Sequence, residues 1–428
     1  MSKKLIAILA LAFVVGVTAA AFAEVQNVKV SGDITAVALD RKALKFINGY
    51  NVIPTTANNE FASISRIKID ANLTDNVDVT FRLLNERVWG GGVTGYTGTN
   101  TSTSEVDVDL AYITLKEFMK DTISVPLTLV VGRQNIKIGS GLLIGWAGTN
   151  QSNTTSLPVG AGDLSARGAF DAIVGVWDFT PELSVITAMV KATEGAVTTG
   201  SDTDAYVVDA NYKLGENAMN TVLEGTYVVS RTRRNNVNNY GGRVTSTPIK
   251  DLNVEGEYVY QVTNLLSRND KVADAIRLGA NYAMPDVTWK PGLGIDYMRL
   301  SNNWSAMHES LVPADLANLI FDNTNLSVIG ATVSAKPKDD LMLKLRYANL
   351  NLTKKIANDG TTYTSTALGA YTTNANKKAL GYEVDASLAY DYTSDVQLGL
   401  NYGILKPSKA FVAKKAASQV IGSMKVSF

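Results

Sequence analysis

The side chains of this sequence that could do chemistry come in single file. Arg66, Lys68, Asp70 and Asn72 alternate with Ile67, Ile69, Ala71 and Leu73, and Asp78, Thr80 and Arg82 alternate with Val77, Val79, Phe81 and Leu83. Glu255, Glu257 and Gln261 oppose Val254, Gly256, Tyr258, Tyr260 and Val262, while Glu383 and Asp385 oppose Tyr382, Val384 and Ala386. Rows of this kind present charge along a surface, which suits steering and contacting solutes rather than breaking bonds. The groups needed for catalysis are scarce: there is one histidine, His308 beside Glu309, and no cysteine. A multi-histidine or thiolate metal centre is therefore excluded, and no nucleophile–base pair or phosphate-binding glycine loop can be found. Glu105, Asp107 and Asp109 alternate and could offer oxygens to a divalent cation, or form one more row of lumen or loop carboxylates. The expectation is a protein that is not an enzyme and carries no cofactor.

A period of two is the mark of a β-strand. Eighteen candidate strands can be counted, beginning near residues 26, 62, 76, 105, 127, 168, 183, 203, 219, 237, 252, 271, 287, 325, 340, 379, 394 and 417. The chain has 428 residues, 46% hydrophobic, with 40 Lys plus Arg against 40 Asp plus Glu. That balance leaves no basic excess for nucleic acid. One alternating pattern over roughly 400 residues is also too long for a soluble β-sandwich, whose domains seldom pass about 250. Met1 to Ala23 reads as a cleaved secretory signal peptide: Lys3 and Lys4, an apolar stretch from Leu5, then Ala21-Phe22-Ala23 before Glu24. Beyond it no run approaches the ~20 apolar residues of a membrane helix, so any crossing must use strands. Residues 24–428 are thus expected to form one all-β domain, a transmembrane antiparallel up-and-down β-barrel of about eighteen strands, with sixteen the alternative.

The connections fit that expectation. Short polar turns at Thr74-Asp75-Asn76, Thr180-Pro181-Glu182, Gly215-Glu216-Asn217, Pro285-Asp286, Lys336 to Asp340 and Thr393-Ser394-Asp395 alternate with long stretches such as Asp40 to Phe61, Gly139 to Arg167, Ser301 to Asn325 and Lys354 to Lys378. Brief periplasmic turns and extended extracellular loops alternate in outer-membrane barrels. Tyrosine supplies 18 of the aromatics, and Tyr212, Tyr227, Tyr282, Tyr297, Tyr347, Tyr390 and Tyr402 sit near strand ends on the apolar parity, where interfacial girdles form. The last strand ends on Phe428. It resembles the C-terminal strand of outer-membrane barrels, in which a terminal aromatic is an insertion signal, so the barrel-insertion machinery is an expected partner beside outer-membrane lipid and lipopolysaccharide.

A barrel this wide leaves an aqueous lumen. The inward parity collects Arg66, Lys68, Arg82, Arg133, Lys137, Arg277, Lys344 and Arg346 against Asp70, Asp78, Asp209, Glu224, Glu255, Glu257, Asp296, Glu383 and Asp385. These form either basic and acidic walls facing each other or charges paired across neighbouring strands. Among them Arg66, Lys68, Arg82, Arg133, Lys137, Arg277, Lys344, Arg346, Glu255 and Glu257 are the candidate solute-contacting residues. Removing Lys3 and Lys4 with the signal peptide leaves 38 basic residues against 40 acidic ones, a mixed-charge channel.

The stretch Gly132-Arg133-Gln134, followed by Gly139 and Gly141, resembles the G-R-Q…G-x-G segment of alginate-export-type porins, and NLTDNVDVTFRLLNERVW (residues 72–89) looks like early strands of that family. The resemblance covers about 80 residues. It implies an eighteen-stranded barrel passing an anionic polysaccharide, with Arg133, Lys137, Arg82 and Arg87 turned to the lumen. The balanced charge departs from a strongly anion-selective pattern. Together these readings give an outer-membrane channel, monomeric or homotrimeric, for small hydrophilic or anionic solutes, carboxylated oligosaccharides included. The alternatives are a surface adhesin or structural barrel with a plugged lumen, and, further off, an outer-membrane enzyme. The loops 139–166 and 301–325, the latter with Leu316, Leu319 and Ile320 at helical spacing, are candidates for folding into the pore.

Overall fold

The computed structural model describes residues 27–44, 46, 59–89, 106–145, 163–193, 202–232, 235–265, 271–307, 311, 314–355, 362–365, 369–374 and 376–428. Met1 to Ala23, Glu105, His308 and the glycines 90–92 lie outside them. In chain order the strands are β1 (Asn27–Lys42), β2 (Asn59–Thr74), β3 (Val77–Val88), β4 (Val106–Leu115), β5 (Leu127–Gln134), β6 (Phe170–Asp178), β7 (Leu183–Thr193), β8 (Thr203–Lys213), β9 (Val222–Thr232) and β10 (Asn235–Ile249). They continue with β11 (Leu252–Leu265), β12 (Lys271–Ala283), β13 (Gly292–Leu300), β14 (Leu326–Lys338), β15 (Leu341–Leu352), β16 (Thr362–Ser365), β17 (Gly369–Thr372), β18 (Ala379–Asp391), β19 (Val396–Pro407) and β20 (Ala417–Ser427). A six-residue helix, α1 (Asp315–Ile320), precedes β14.

Eighteen of these strands form one antiparallel sheet, and β1 pairs with both β2 and β20, so the sheet closes on itself. Closure removes both edges and satisfies every wall strand on two sides. The pair β16–β17 is a separate hairpin inside the 354–378 connection, a stretch that the sequence pattern reads as one long loop. Two boundaries also differ from expectation. β14 runs on through Lys338 past a register shift, so the turn begins at Asp339 rather than Lys336. β13 starts at Gly292 rather than near 287, because residues 284–291 form a turn closed by Met284 N–H to the Pro291 carbonyl (2.9 Å), with Trp289 and Lys290 in the left-handed region.

The alternating pattern has the inverse sense to a soluble core. Ile67, Ile173, Leu223, Ile295, Ile329 and Leu345 are exposed on the outside, where lipid is the solvent, and Tyr212, Tyr282, Tyr347 and Tyr402 share that face. No described helix is long and apolar enough to cross a membrane. Buried apolar residues sit inside, where connections on the long-loop side fold back against the wall. Phe411 packs against Phe46, Tyr371 and Phe321 at centroid distances of 5.0, 5.7 and 6.0 Å, tying three connections and the α1 segment together.

The seam uses the last residue. Phe428 exchanges backbone hydrogen bonds with Gly32 (2.9 and 3.0 Å), and its ring covers that glycine. A Cβ at position 32 would lie 2.6 Å from Phe428 Cζ and 2.6 Å from the Arg66 carbonyl oxygen. Gly32→Val is therefore expected to cost about 1–3 kcal/mol through overpacking. Heat-modifiable gel mobility should show the barrel unfolding at a lower temperature than the wild type. Unchanged mobility would remove the seam from the account of closure.

Candidate functional site

The lumen is built by strand parity and then reshaped by inward connections. Arg66, Lys68 and Asp70 share the inward face of β2 with the buried Ala62 and Ile64, and Arg82 shares that of β3 with buried Thr80, Leu84 and Glu86. Most wall charges find a partner on the same or an adjacent strand: Arg66 meets Asp33 at 2.9 Å and Lys68 meets Asp70 at 2.8 Å, while Arg82 pairs with Asp109. Arg243 bridges Glu224 (3.0 Å) and Glu255 (3.1 Å), Arg277 also reaches Glu255 (3.3 Å), and Arg346 Nη2 donates to Asp296 at 2.9 Å. Opposed basic and acidic walls are thus replaced by local neutralisation, the cheaper arrangement where both charges are partly removed from water.

Three segments fold inward. After β5, residues 135–145 double back, with Ile138 and Ile144 joined by a 3.0 Å backbone bond and Ile136, Ile138, Leu142 and Ile144 buried. The tip reaches the wall at β9–β12: Ser140 Oγ donates to Glu257, and Arg277 donates to the Ser140 carbonyl at 3.4 Å. Gly139 has φ +56, and a Cβ there would stand 2.8 Å from Glu224 Oε1. Gly139→Ala should displace the tip at a cost of about 1–2 kcal/mol. The expected readout in a planar bilayer is a noisier open level; a trace indistinguishable from wild type would count against the seated tip.

The second segment carries α1. Its N-cap is Ala314, which has no side chain to bond the free N–H groups, and the wall supplies the acceptor instead. Glu383, fully buried on β18, accepts from Leu316 N–H at 2.5 Å and from Ala317 N–H at 2.8 Å. Leu316, Ala317, Leu319 and Ile320 are buried below. Burial pushes the Asp315 carboxyl above its ordinary pKa, against the opposing pull of Lys344. The third segment, ending the loop before β6, is held by buried charges: Arg41 to Asp163 (2.7 Å), Ser165 Oγ to Glu86 (3.0 Å), and Arg167 to Asp107.

A cavity of about 660 Å³ remains between these segments and the wall. Lys137, Arg277, Lys344 and Arg346 supply its cations, Glu255, Asp296 and Asp315 its anions, and Met298, Leu311, Ala314, Val328 and Met342 an apolar side. Arg277 and Arg346 already have acidic partners. Lys137 and Lys344 make no hydrogen bond or ion pair with a described residue, so their charge is open to a solute.

Arg133 and Arg87 are not in the lumen. Arg133 has the parity of Val131 and pairs in register with Asp171, which has the parity of exposed Ile173; the guanidinium meets Asp171 at 2.8 Å on the outer surface. Arg87 shares the outward parity of Phe81 and Leu83 and is itself exposed. Both lie at the upper ends of short strands, where lipid gives way to headgroups and charge no longer has to turn inward. Among the described residues no group of three or more His, Cys, Asp or Glu could hold a metal, and Asp107 and Asp109 are taken by Arg167 and Arg82. Arg243 is a central lumen cation that the candidate set lacks, although its parity opposite Tyr240 and Val244 was readable. Arg41 meets Asp163 at a separation of 122 positions and Arg167 meets Asp107 at 60, and neither pair carries a sequence signal.

A closed eighteen-strand barrel with an apolar exterior and a charged, loop-constricted interior is the fold of the bacterial outer-membrane porins. No family model matches the sequence, and no curated protein does. Solved structures do: the improved crystal structure of OccK1 (OpdK) from Pseudomonas aeruginosa superimposes with a TM-score of 0.60 at 11% identity, over 94% of this chain and 100% of that one. OpdK with vanillate gives 0.59 at 12% identity, over 94% and 100%. OccK2 (OpdF) in complex with glucuronate gives 0.58 at 10% identity, over 94% and 99%.

Proposed function

We propose that the protein is an outer-membrane channel for small hydrophilic solutes with a preference for anions, carboxylates foremost. The observation that carries this is the pair Lys137 and Lys344, two cations with no hydrogen bond or ion pair to a described residue, lining a cavity of about 660 Å³ whose two arginines are already bound to acids. An ammonium facing water in a confined, low-dielectric passage raises the local concentration of anions. The vanillate and glucuronate named with the similar barrels are both carboxylates of the size the cavity accepts. A channel needs no catalytic group, which fits a chain whose only imidazole is His308. Export by a signal peptide at residues 1–23, insertion through the Phe428 strand and a surrounding of lipid and lipopolysaccharide belong to the same proposal.

The likeness to alginate-export-type porins enters here as well, through the Gly132 to Gly141 stretch that supplies the inward tip; on that reading the anion is a carboxylated saccharide. A reversal-potential measurement in a salt gradient tests the channel. An anion-selective reversal is expected, and purified protein without discrete conductance steps would defeat the proposal.

A further inference from the structure

The outward faces of β5 to β9 end in charge on the long-loop side. Arg133 pairs with Asp171, and Lys191 reaches Asp204 at 3.1 Å and Asp202 at 3.6 Å. The row beneath, in register, is Val131, Ile173, Met189 and Tyr206, of which the first three are among the large exposed apolar side chains. Arg231 closes the charged row differently. It is exposed, its guanidinium lies 5.3 Å from the centroid of the Tyr206 ring, and it makes no hydrogen bond or ion pair with a described residue.

We propose that this edge binds the phosphate groups of glycolipid headgroups in the outer leaflet. A guanidinium presents parallel N–H donors that match phosphate oxygens, and here its plane is steadied by an aromatic ring. Asp204, the in-register neighbour of Arg231, lies 3.1 Å from Lys191 and Asp202 lies 3.6 Å from the same lysine, and neither forms an ion pair with Arg231. Position decides for a lipid over free phosphate: Arg231 stands one row above side chains that face acyl chains, so a phosphorylated headgroup sits at its level while its tails cover Met189 and Ile173. The site faces away from the lumen and does not depend on what the channel carries.

The test uses the purified barrel in detergent, with native mass spectrometry reading retention of a diphosphorylated diglucosamine lipid and of the same lipid dephosphorylated. The phosphorylated form should be retained selectively, about fivefold less by Arg231→Gln, as expected for one juxtamembrane cation. Arg231→Lys, which keeps the charge, should recover most of that loss. Single-channel conductance of Arg231→Gln should match the wild type, which also shows that the variant folds. Equal retention of the two lipids by the wild type, unchanged retention by Arg231→Gln, or displacement of the lipid by equimolar inorganic phosphate would each overturn the proposal.

Discussion

Replacing Glu383 by alanine is expected to raise single-channel conductance and to add slow fluctuation to the open level, in a barrel that still assembles. The Glu383 carboxylate takes two backbone N–H groups at the start of α1, at 2.5 and 2.8 Å, where the Ala314 N-cap offers no side-chain acceptor. Its removal leaves two buried donors unsatisfied at about 1–3 kcal/mol each. Burial of Leu316 and Ile320 contributes about 1.5–3 kcal/mol per side chain toward keeping the segment seated, so the loss is comparable to what holds the loop. A shift of about 3 kcal/mol changes the displaced population by roughly 100-fold. Glu383→Gln keeps one acceptor oxygen and should fall between the two. The wall itself is spared, because the strand ladder of β18 uses backbone groups. Planar-bilayer recordings decide the matter: conductance and noise equal to wild type in Glu383→Ala would show that the helix is held by its apolar face alone.

Reversing the two open lysines should reverse ion preference. Lys137→Glu with Lys344→Glu replaces two cations by two anions, a swing of four charges around one cavity, while the compensated pairs Arg277–Glu255 and Arg346–Asp296 stay in place. A unit charge about 6 Å from a passing ion in a largely aqueous dielectric contributes roughly 0.7 kcal/mol, or about threefold in local concentration. The double variant is therefore expected to move the anion-to-cation permeability ratio by at least tenfold, from above one to below it. Salt-gradient reversal potentials measure this, and Arg66→Glu is the contrast: Arg66 is already bound to Asp33, so the change should be smaller. An unchanged sign in the double variant would leave the lysines as bystanders.

These two expectations differ in how much of them could be read before the fold was known. Lys344 could be assigned to the lumen by counting from Leu343 and Leu345, since a two-residue period on a wall wetted on one side allows no other placement. The same counting put Glu383 inside. Arg133 and Arg87, both expected in the lumen, stand outside, and a count from Val131 for the one and from Phe81 and Leu83 for the other gives that side. Arg133 has the parity of Val131, and its outward placement was available in the residues themselves.

What the sequence by itself determined is the wall: an antiparallel barrel of about eighteen strands and the sidedness of most of their residues, local consequences of alternating polarity in a medium that tolerates no unpaired backbone. Only the tertiary structure decided the channel. Ser140 meets Glu257 across 117 positions, Leu316 meets Glu383 across 67, and Arg41 meets Asp163 across 122. No period links such partners, because each contact joins a connection to a wall strand made elsewhere in the chain, and barrel closure alone brings the two together. Which lysines keep an open charge follows from those contacts, and so the part of the protein that would choose its solute is written in the folded barrel rather than along the strand.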